Sequence, residues 1–291
     1  MEISKIKLKK VLKLLKPDIG EDVDISPFKN DEDGADYSVW RVTLDGEAFV
    51  LKKAKGREIE IYSAFLAGQV KGAPEFLGAV CVDGENYFLM SYVNGKDLRR
   101  CDTDSLKKAL DALIELQKSY WNSDISAGIS YEKSLEGRRD RGKYLNDDRL
   151  ERAYGEFLSV YQELPRSLCH DDLLPFNVLV DDERATIIDW EVAGILPYPT
   201  SLARLIAHAE EDEDAFFYMK EVDKEFAIDY YYDNLVKNKG ISYNDYRYAL
   251  DLFLLYEYCE WVMLGVKYED ADMVRYERYL AKAKQHLKRF E

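Results

Sequence analysis

The chain has 291 residues, 47% of them hydrophobic and 33% charged, with a formal net charge of −15. That mixture suits a globular protein large enough for two lobes and excludes an intrinsically disordered chain. So large an acidic excess argues against nucleic acid or an anionic membrane as the main partner, and fits a cationic ligand or simple solubility.

No stretch of about 18 apolar residues occurs, so no membrane span is expected. Cys81, Cys101, Cys169 and Cys259 lack CxxC spacing. Thiols scattered in this way fit a reducing compartment, neither a disulfide framework nor a zinc site, and a cytoplasmic location is the expectation.

Residues 1–16 interleave Ile3, Ile6, Leu8, Val11, Leu12 and Leu15 with lysines. This is a basic amphipathic helix without the apolar region or cleavage site of a signal peptide, and its apolar stripe is expected to pack on the first lobe. Strands are read at 22–28, 39–43 and 48–53, the last two joined by a tight turn at Asp45-Gly46. A polar segment containing Gly34 separates the first two. Side chains alternate along a strand, so Val50 and Lys52 share one face while Leu51 and Lys53 share the other.

Residues 57–68 follow as a helix with Ile59, Ile61, Tyr62, Phe65 and Leu66 as apolar positions and Gly68 at its end. A hairpin then folds about Asp83-Gly84 (73–82 with 87–93). Asp104 is read as the N-cap of a helix over 105–121. The polar, poorly periodic stretch 123–147 is expected to be a mobile insertion near a substrate cleft, followed by a helix over 150–164.

Residues 168–194 organise the chain. Two short apolar runs, 178–180 and 186–188, flank the acidic turn Asp181-Asp182-Glu183 and read as a small hairpin. Before it lies a loop with His170, Asp172 and Asn177; after it comes Asp189. A carboxamide and two carboxylates at the ends of one tight hairpin can converge into the oxygen-rich site that holds Mg²⁺ on phosphates. Beyond it, a helix starts near Ser201, with Thr200 or Ser201 expected to act only as a cap. A long helix over 245–265 carries Glu257 and Glu260 among core aromatics. With Trp261, they suit an ammonium group through charge and cation–π contact.

The order His170-Asp171-Asp172, four residues, Asn177, then Asp189-Trp190-Glu191 resembles the kinase catalytic loop and its metal-binding aspartate. The Ile-Asp-Trp-Glu form and the Leu-Leu-Pro-Phe insert are similar to the aminoglycoside phosphotransferase and choline kinase superfamily, whose loop usually reads His-Gly-Asp-x-x-x-x-Asn. Asp171 departs from that pattern. So do Gln117, where relatives often carry histidine, and Pro199-Thr200-Ser201, where an aspartate usually braces the loop.

The resemblance implies an α+β, protein-kinase-like, two-lobed fold. Residues 1–93 would form a nucleotide-binding lobe, a small antiparallel sheet with one key helix. Residues 94–291 would form a larger, mainly helical lobe for catalysis and substrate. It further implies that Asp172 orients or accepts the acceptor's proton, that Asn177 and Asp189 hold Mg²⁺, and that His170 braces the loop. Lys52 would reach the nucleotide phosphates, paired with Glu58 rather than Glu60 because Tyr62 and Phe65 follow Glu58 at the family's apolar spacing. Val50 would touch adenine, Met90 would be the gatekeeper, Ser91 and Val93 would offer hinge backbone groups, and Gly34, Tyr37 and Ser38 would cover the phosphates.

The implied activity moves the γ-phosphate of ATP or GTP to a hydroxyl of a small cationic molecule, an aminoglycoside in the first instance. The alternatives are a choline or ethanolamine kinase, with an aromatic cage from 230–232 or 256–261, and a catalytically silent nucleotide-binding pseudokinase. The chain has no Ala-Pro-Glu after Asp189, and the short 194–200 segment argues against a protein kinase.

Overall fold

A computed structural model describes residues 5–20, 23–29, 36–68, 70–267 and 273–290. Helix α1 (Lys5–Leu15) precedes a five-stranded antiparallel sheet made of β1 (Val23–Lys29), β2 (Asp36–Leu44), β3 (Glu47–Lys53), β4 (Phe76–Val82) and β5 (Glu85–Ser91). Helix α2 (Glu58–Phe65) is inserted after β3, and the strand order is β1-β2-β3-β5-β4. Asp45-Gly46 and Asp83-Gly84 all have positive φ, from 50° to 83°. That left-handed pair matches hairpin twist and needs glycine at its second position.

The two faces of the sheet are sorted by the period of two. Leu8, Val11 and Leu12 of α1 pack with Trp40, Val42, Phe49, Leu51, Tyr87 and Leu89 on one face. On the other, Val50, Phe88 and Met90 join Ile61, Tyr62 and Phe65 of α2 in the main core.

The helical remainder begins with β6 (Lys96–Asp97) and α3 (Thr103–Ser119), then α4 (Tyr131–Gly142), α5 (Asp148–Glu163) and β7 (Arg166–Cys169). It continues through β8 (Val178–Val180), β9 (Ala185–Ile187), β10 (Gly194–Pro197) and α6 (Pro199–Ala207), and ends with α7 (Glu221–Tyr231), α8 (Tyr243–Lys267) and α9 (Met273–Leu287). Strands β6, β8 and β9 form one small sheet, and β7 pairs antiparallel with β10. Helix α8 is buried over much of its length, and from Leu252 to Met263 it is apolar or aromatic apart from Glu257 and Glu260.

Two expectations are corrected. The cap of α3 is Asp102, whose carboxylate accepts from the Ser105 N–H, not Asp104. The stretch 123–147 contains α4, capped by Ser130 and packed against α5 and α8. Its core-facing residues are Ser134, Leu135 and Arg138, so it lacks the apolar stripe that would have announced a helix. No described helix is long and apolar enough to cross a membrane.

Candidate active site

The loop that carries His170, Asp172 and Asn177 runs between β7 and β8, and its geometry follows from hairpin register. Val178 faces Ile187 across β8 and β9, and the Ile188 N–H donates to the Asn177 carbonyl at 2.9 Å. Asn177 and Asp189 therefore leave the same end of one hairpin. The Asn177 amide nitrogen donates to the Asp172 carbonyl at 2.8 Å. That commits its nitrogen and orients its oxygen as the group available to a hard cation.

Asp189 has φ 63°, a left-handed conformation that turns its carboxylate towards β3. There it meets the Lys52 ammonium, which also donates to Glu58 at 2.7 Å. Burial would raise the Asp189 pKa, but Lys52 outweighs it and the net shift is downward. Burial would likewise lower the Lys52 pKa, and the two carboxylates reverse that. An ionised carboxylate beside a carboxamide oxygen is the donor set Mg²⁺ prefers, so the residues present fit that ion. Glu58 is fully buried and Lys52 nearly so, whereas Glu60 is engaged with Arg57 at the surface.

Asp172 points to open space, with its side chain 41% exposed. Arg204 of α6 donates to its Oδ1 twice, from Nε at 3.1 Å and Nη2 at 2.8 Å. Both contacts fall on one oxygen, Oδ1, and leave Oδ2 outside the pair.

His170 is buried, and burial pushes its pKa down, which favours the neutral ring. Its Nε2 lies 2.8 Å from the Ile188 carbonyl, which can only accept, so Nε2 carries the proton. The ring thus ties the loop of Asp172 to the residue before Asp189. The His170 backbone N–H donates to Ser201 Oγ at 2.9 Å. Ser201 is not the expected cap, since α6 is capped at Tyr198 without a side-chain bond; it lies inside the helix, and its hydroxyl holds the loop at His170. Gln117 also keeps its hydrogen bonds: Nε2 donates to the Tyr198 carbonyl at 3.1 Å, and Tyr231 donates to Oε1 at 2.5 Å.

In the sheet, Val50 and Met90 are cross-strand partners and both buried. Ser91 donates its N–H to the Glu75 carbonyl at 3.0 Å and accepts from the Glu75 N–H on its hydroxyl at 2.9 Å. Val93 is half-buried just beyond β5. Ser38 lies within β2 at φ 57°, and Tyr37 beside it is exposed. Gly34 lies outside the described residues.

The expected ammonium site on α8 is not built as one. Glu257 is buried and accepts from Arg204 Nη1 at 2.8 Å, with His208 Nε2 at 3.1 Å. Glu260 takes Arg204 Nη1 at 2.9 Å and Arg141 Nη1 at 2.6 Å. Trp261 stacks on Tyr279 at 5.6 Å and carries Arg275 over its ring at 5.2 Å. Carboxylates this deep need a cation of their own, and the protein supplies it internally. Arg204, which sequence reasoning missed, had one available signal. Glu257 and Glu260, at i and i+3, are the two charged residues in the apolar and aromatic stretch from Leu252 to Met263, and carboxylates buried there call for a positive partner.

Residues 27–231 match the phosphotransferase enzyme family. A 74-residue stretch is 31% identical to Protein LicA of Haemophilus influenzae, covering 25% of this chain and only 28% of that protein. Solved structures resemble the chain over nearly its whole length. An aminoglycoside phosphotransferase from Alicyclobacillus acidocaldarius has a TM-score of 0.64 at 13% identity, covering 100% of this chain and 94% of its own. A choline/ethanolamine kinase family protein from Mesorhizobium loti has a TM-score of 0.62 at 16% identity, covering 91% and 88%. Aminoglycoside phosphotransferase APH(4)-Ia, in a ternary complex with AMP-PNP and hygromycin B, has a TM-score of 0.60 at 16% identity, covering 95% and 97%. At such identities the structural likeness speaks for the kinase-like fold, while the family match spans more than half of the sequence. The chain belongs to the phosphotransferase enzyme family.

Proposed function

We propose that this enzyme moves the γ-phosphate of ATP or GTP to a hydroxyl of a small molecule, with residues 1–93 binding the nucleotide and residues 94–291 carrying catalysis and the acceptor. The observation that carries this reading is the pairing of Lys52 with both Glu58 and Asp189 beside a loop whose Asp172 keeps one carboxylate oxygen free. Lys52, held by Glu58, is positioned to meet phosphate oxygens as a point charge. Asn177 and Asp189 would hold Mg²⁺, which, when bound, neutralises charge on the transferred phosphoryl group. Asp172 Oδ2 would orient the acceptor hydroxyl and take its proton late, so placement matters more than basicity. His170 and Ser201 fix the loop on which that placement depends. Val50 and Met90 would flank the base, with hinge groups of Ser91 and Val93 and the backbone near Ser38 completing the nucleotide side. Four free thiols agree with a cytoplasmic location.

For the acceptor, an aminoglycoside-like cationic molecule is the first reading, supported by the net charge of −15 and not by Glu257, Glu260 or Trp261. A choline-type acceptor needs open aromatic faces. Arg138 covers Tyr256 at 4.8 Å, Arg275 covers Trp261 at 5.2 Å, and Lys107 lies 5.3 Å over Tyr230. This argues for the first reading.

A panel of hygromycin B, choline and ethanolamine with γ-labelled ATP and GTP tests the assignment. Label on hygromycin B is expected, and Asp172→Ala should lower that transfer by roughly 10²- to 10⁴-fold with Mg-nucleotide affinity unchanged. Label on choline alone would reverse the choice of acceptor. Binding of nucleotide without transfer to any of them would favour a silent nucleotide-binding module.

A further inference from the structure

Asp171 stands directly before the proposed base with φ 60°, a left-handed conformation that glycine adopts freely and aspartate tolerates at a cost. Asp45 and Asp83 show that a turn alone accepts aspartate at positive φ, but Asp171 also has a buried partner. Its carboxylate accepts from Arg138 Nη2 of α4 at 2.5 Å.

Arg138 is 3% exposed. Its guanidinium lies between the rings of Tyr161, at 4.9 Å, and Tyr256, at 4.8 Å. Its Nη1 donates to Ser134, and Ser134 shares a 3.0 Å hydrogen bond with the Tyr161 hydroxyl. Tyr154 donates to the Arg138 carbonyl at 2.8 Å. A guanidinium so deep requires a carboxylate, and here the catalytic loop supplies it.

The next residue, Asp172, is held by a second arginine from a different helix, Arg204 of α6. Both arginines rest on α8. Tyr256 backs Arg138, and Glu257 and Glu260 fix Arg204. Glu260 also accepts from Tyr256 at 3.2 Å and pairs with Arg141 of α4 at 2.6 Å. Two consecutive loop residues are thus clamped through separate ion pairs onto one helix.

We propose that Arg138 is a positioning residue: its ion pair with Asp171 sets the orientation in which Asp172 meets the acceptor hydroxyl, so that α4 controls turnover without touching nucleotide. This rests on Asp172 being the base.

The test uses the full chain, with phosphate release from Mg-ATP to water and transfer to hygromycin B and choline as the turnover readouts. Binding of Mg-AMP-PNP is measured alongside. Asp171→Gly relieves the left-handed backbone and removes the pair. The expected result is a turnover reduced roughly 10- to 100-fold with nucleotide affinity within about threefold of the parent, because a displacement of about 1 Å at the reacting groups costs on that order. Asp171→Asn keeps an acceptor for Arg138 in a residue that suits positive φ, and is expected to lose less. If Asp171 serves only the turn, Gly and Asn variants both turn over like the parent, which overturns the proposal. Equal losses of turnover and nucleotide affinity would mean general damage and also overturn it.

Adding Arg138→Met to Asp171→Gly should cost no further turnover; additive losses sink the coupling. Should Asp171→Gly not fold, the isosteric Asp171→Asn decides alone, since unchanged turnover there is contrary to expectation. A fully active Asp172→Ala removes the base assignment and this proposal together. An inactive Asp172→Ala beside an unaffected Asp171→Gly removes only the proposal.

Discussion

Arg204→Met tests the charge network beneath the catalytic loop. Glu257 is 3% exposed. Burial by itself would raise its pKa, but Arg204 and His208 outweigh burial and hold it at about 2, against an ordinary value of 4.5. Removing one partner of a buried ion pair costs roughly 3–5 kcal/mol. Here Glu257 keeps His208 and Glu260 keeps Arg141, which places the expected loss near the lower end, about 3 kcal/mol. With an unfolding entropy of about 2 cal/mol/K per residue, that loss lowers Tm by roughly 5 °C.

The sign of the pH dependence follows from Glu257. Its folded pKa is depressed, so its contribution is present above the unfolded value of 4.5 and is lost as pH falls towards 2. In Arg204→Met the main cation is gone, burial dominates, and the carboxylate favours its neutral form. The deficit should therefore be greatest at neutral pH and shrink as pH falls, first through the variant's raised Glu257 pKa and then on towards the parent's value of about 2. Urea unfolding followed by tryptophan fluorescence, at neutral and at acid pH, measures it. Adding Glu257→Gln to Arg204→Met should recover much of the loss, because the uncompensated charge is gone. A deficit below about 1 kcal/mol, one equal at both pH values, or no recovery in the double variant would refute the reasoning.

Ser201→Ala removes the acceptor of the buried His170 N–H, and should cost about 1–3 kcal/mol in chemical denaturation together with a fall in turnover. Gly194→Ala would place a Cβ 2.3 Å from the Ile129 carbonyl oxygen, a backbone atom that cannot swing aside, and should destabilise by roughly 3 kcal/mol or more. Gly137→Ala, inside α4 with nothing within 4 Å of the new Cβ, should instead stabilise by about 0.5–1 kcal/mol. Comparing the two Tm values checks both the crowding at β10 and the helicity of α4.

What was legible in the sequence is what is local in it. His170, Asp172, Asn177 and Asp189 fall within twenty residues, because one loop and one hairpin carry them, and their spacing is visible without knowing the fold. The strand alternation that separates Val50 and Lys52 from Leu51 and Lys53 is equally local. The supports of the site were not legible. Ser201, Arg204 and Arg138 reach the loop from α6 and α4, and no fixed spacing announces such a contact.

Helix α4 was missed because its inward face is Ser134, Leu135 and Arg138, and periodicity methods look for apolar residues there. Its ends did carry a signal, with Ser130 as cap, Glu132 in the first turn, and Arg139 and Arg141 in the last. The ammonium site failed for a related reason. Glu257 and Glu260 among aromatics read as a cage only if no arginine of the chain itself fills it, and two do.

The most direct test of the central claim, that Lys52, Asn177 and Asp189 gather around one magnesium-bound triphosphate, is equilibrium binding of ATP with Mg²⁺ and with chelator, in the parent and in Asp189→Ala. The account predicts that Mg²⁺ strengthens ATP binding in the parent and makes little difference in the variant. An affinity for Mg-ATP that Asp189→Ala leaves unchanged would contradict it.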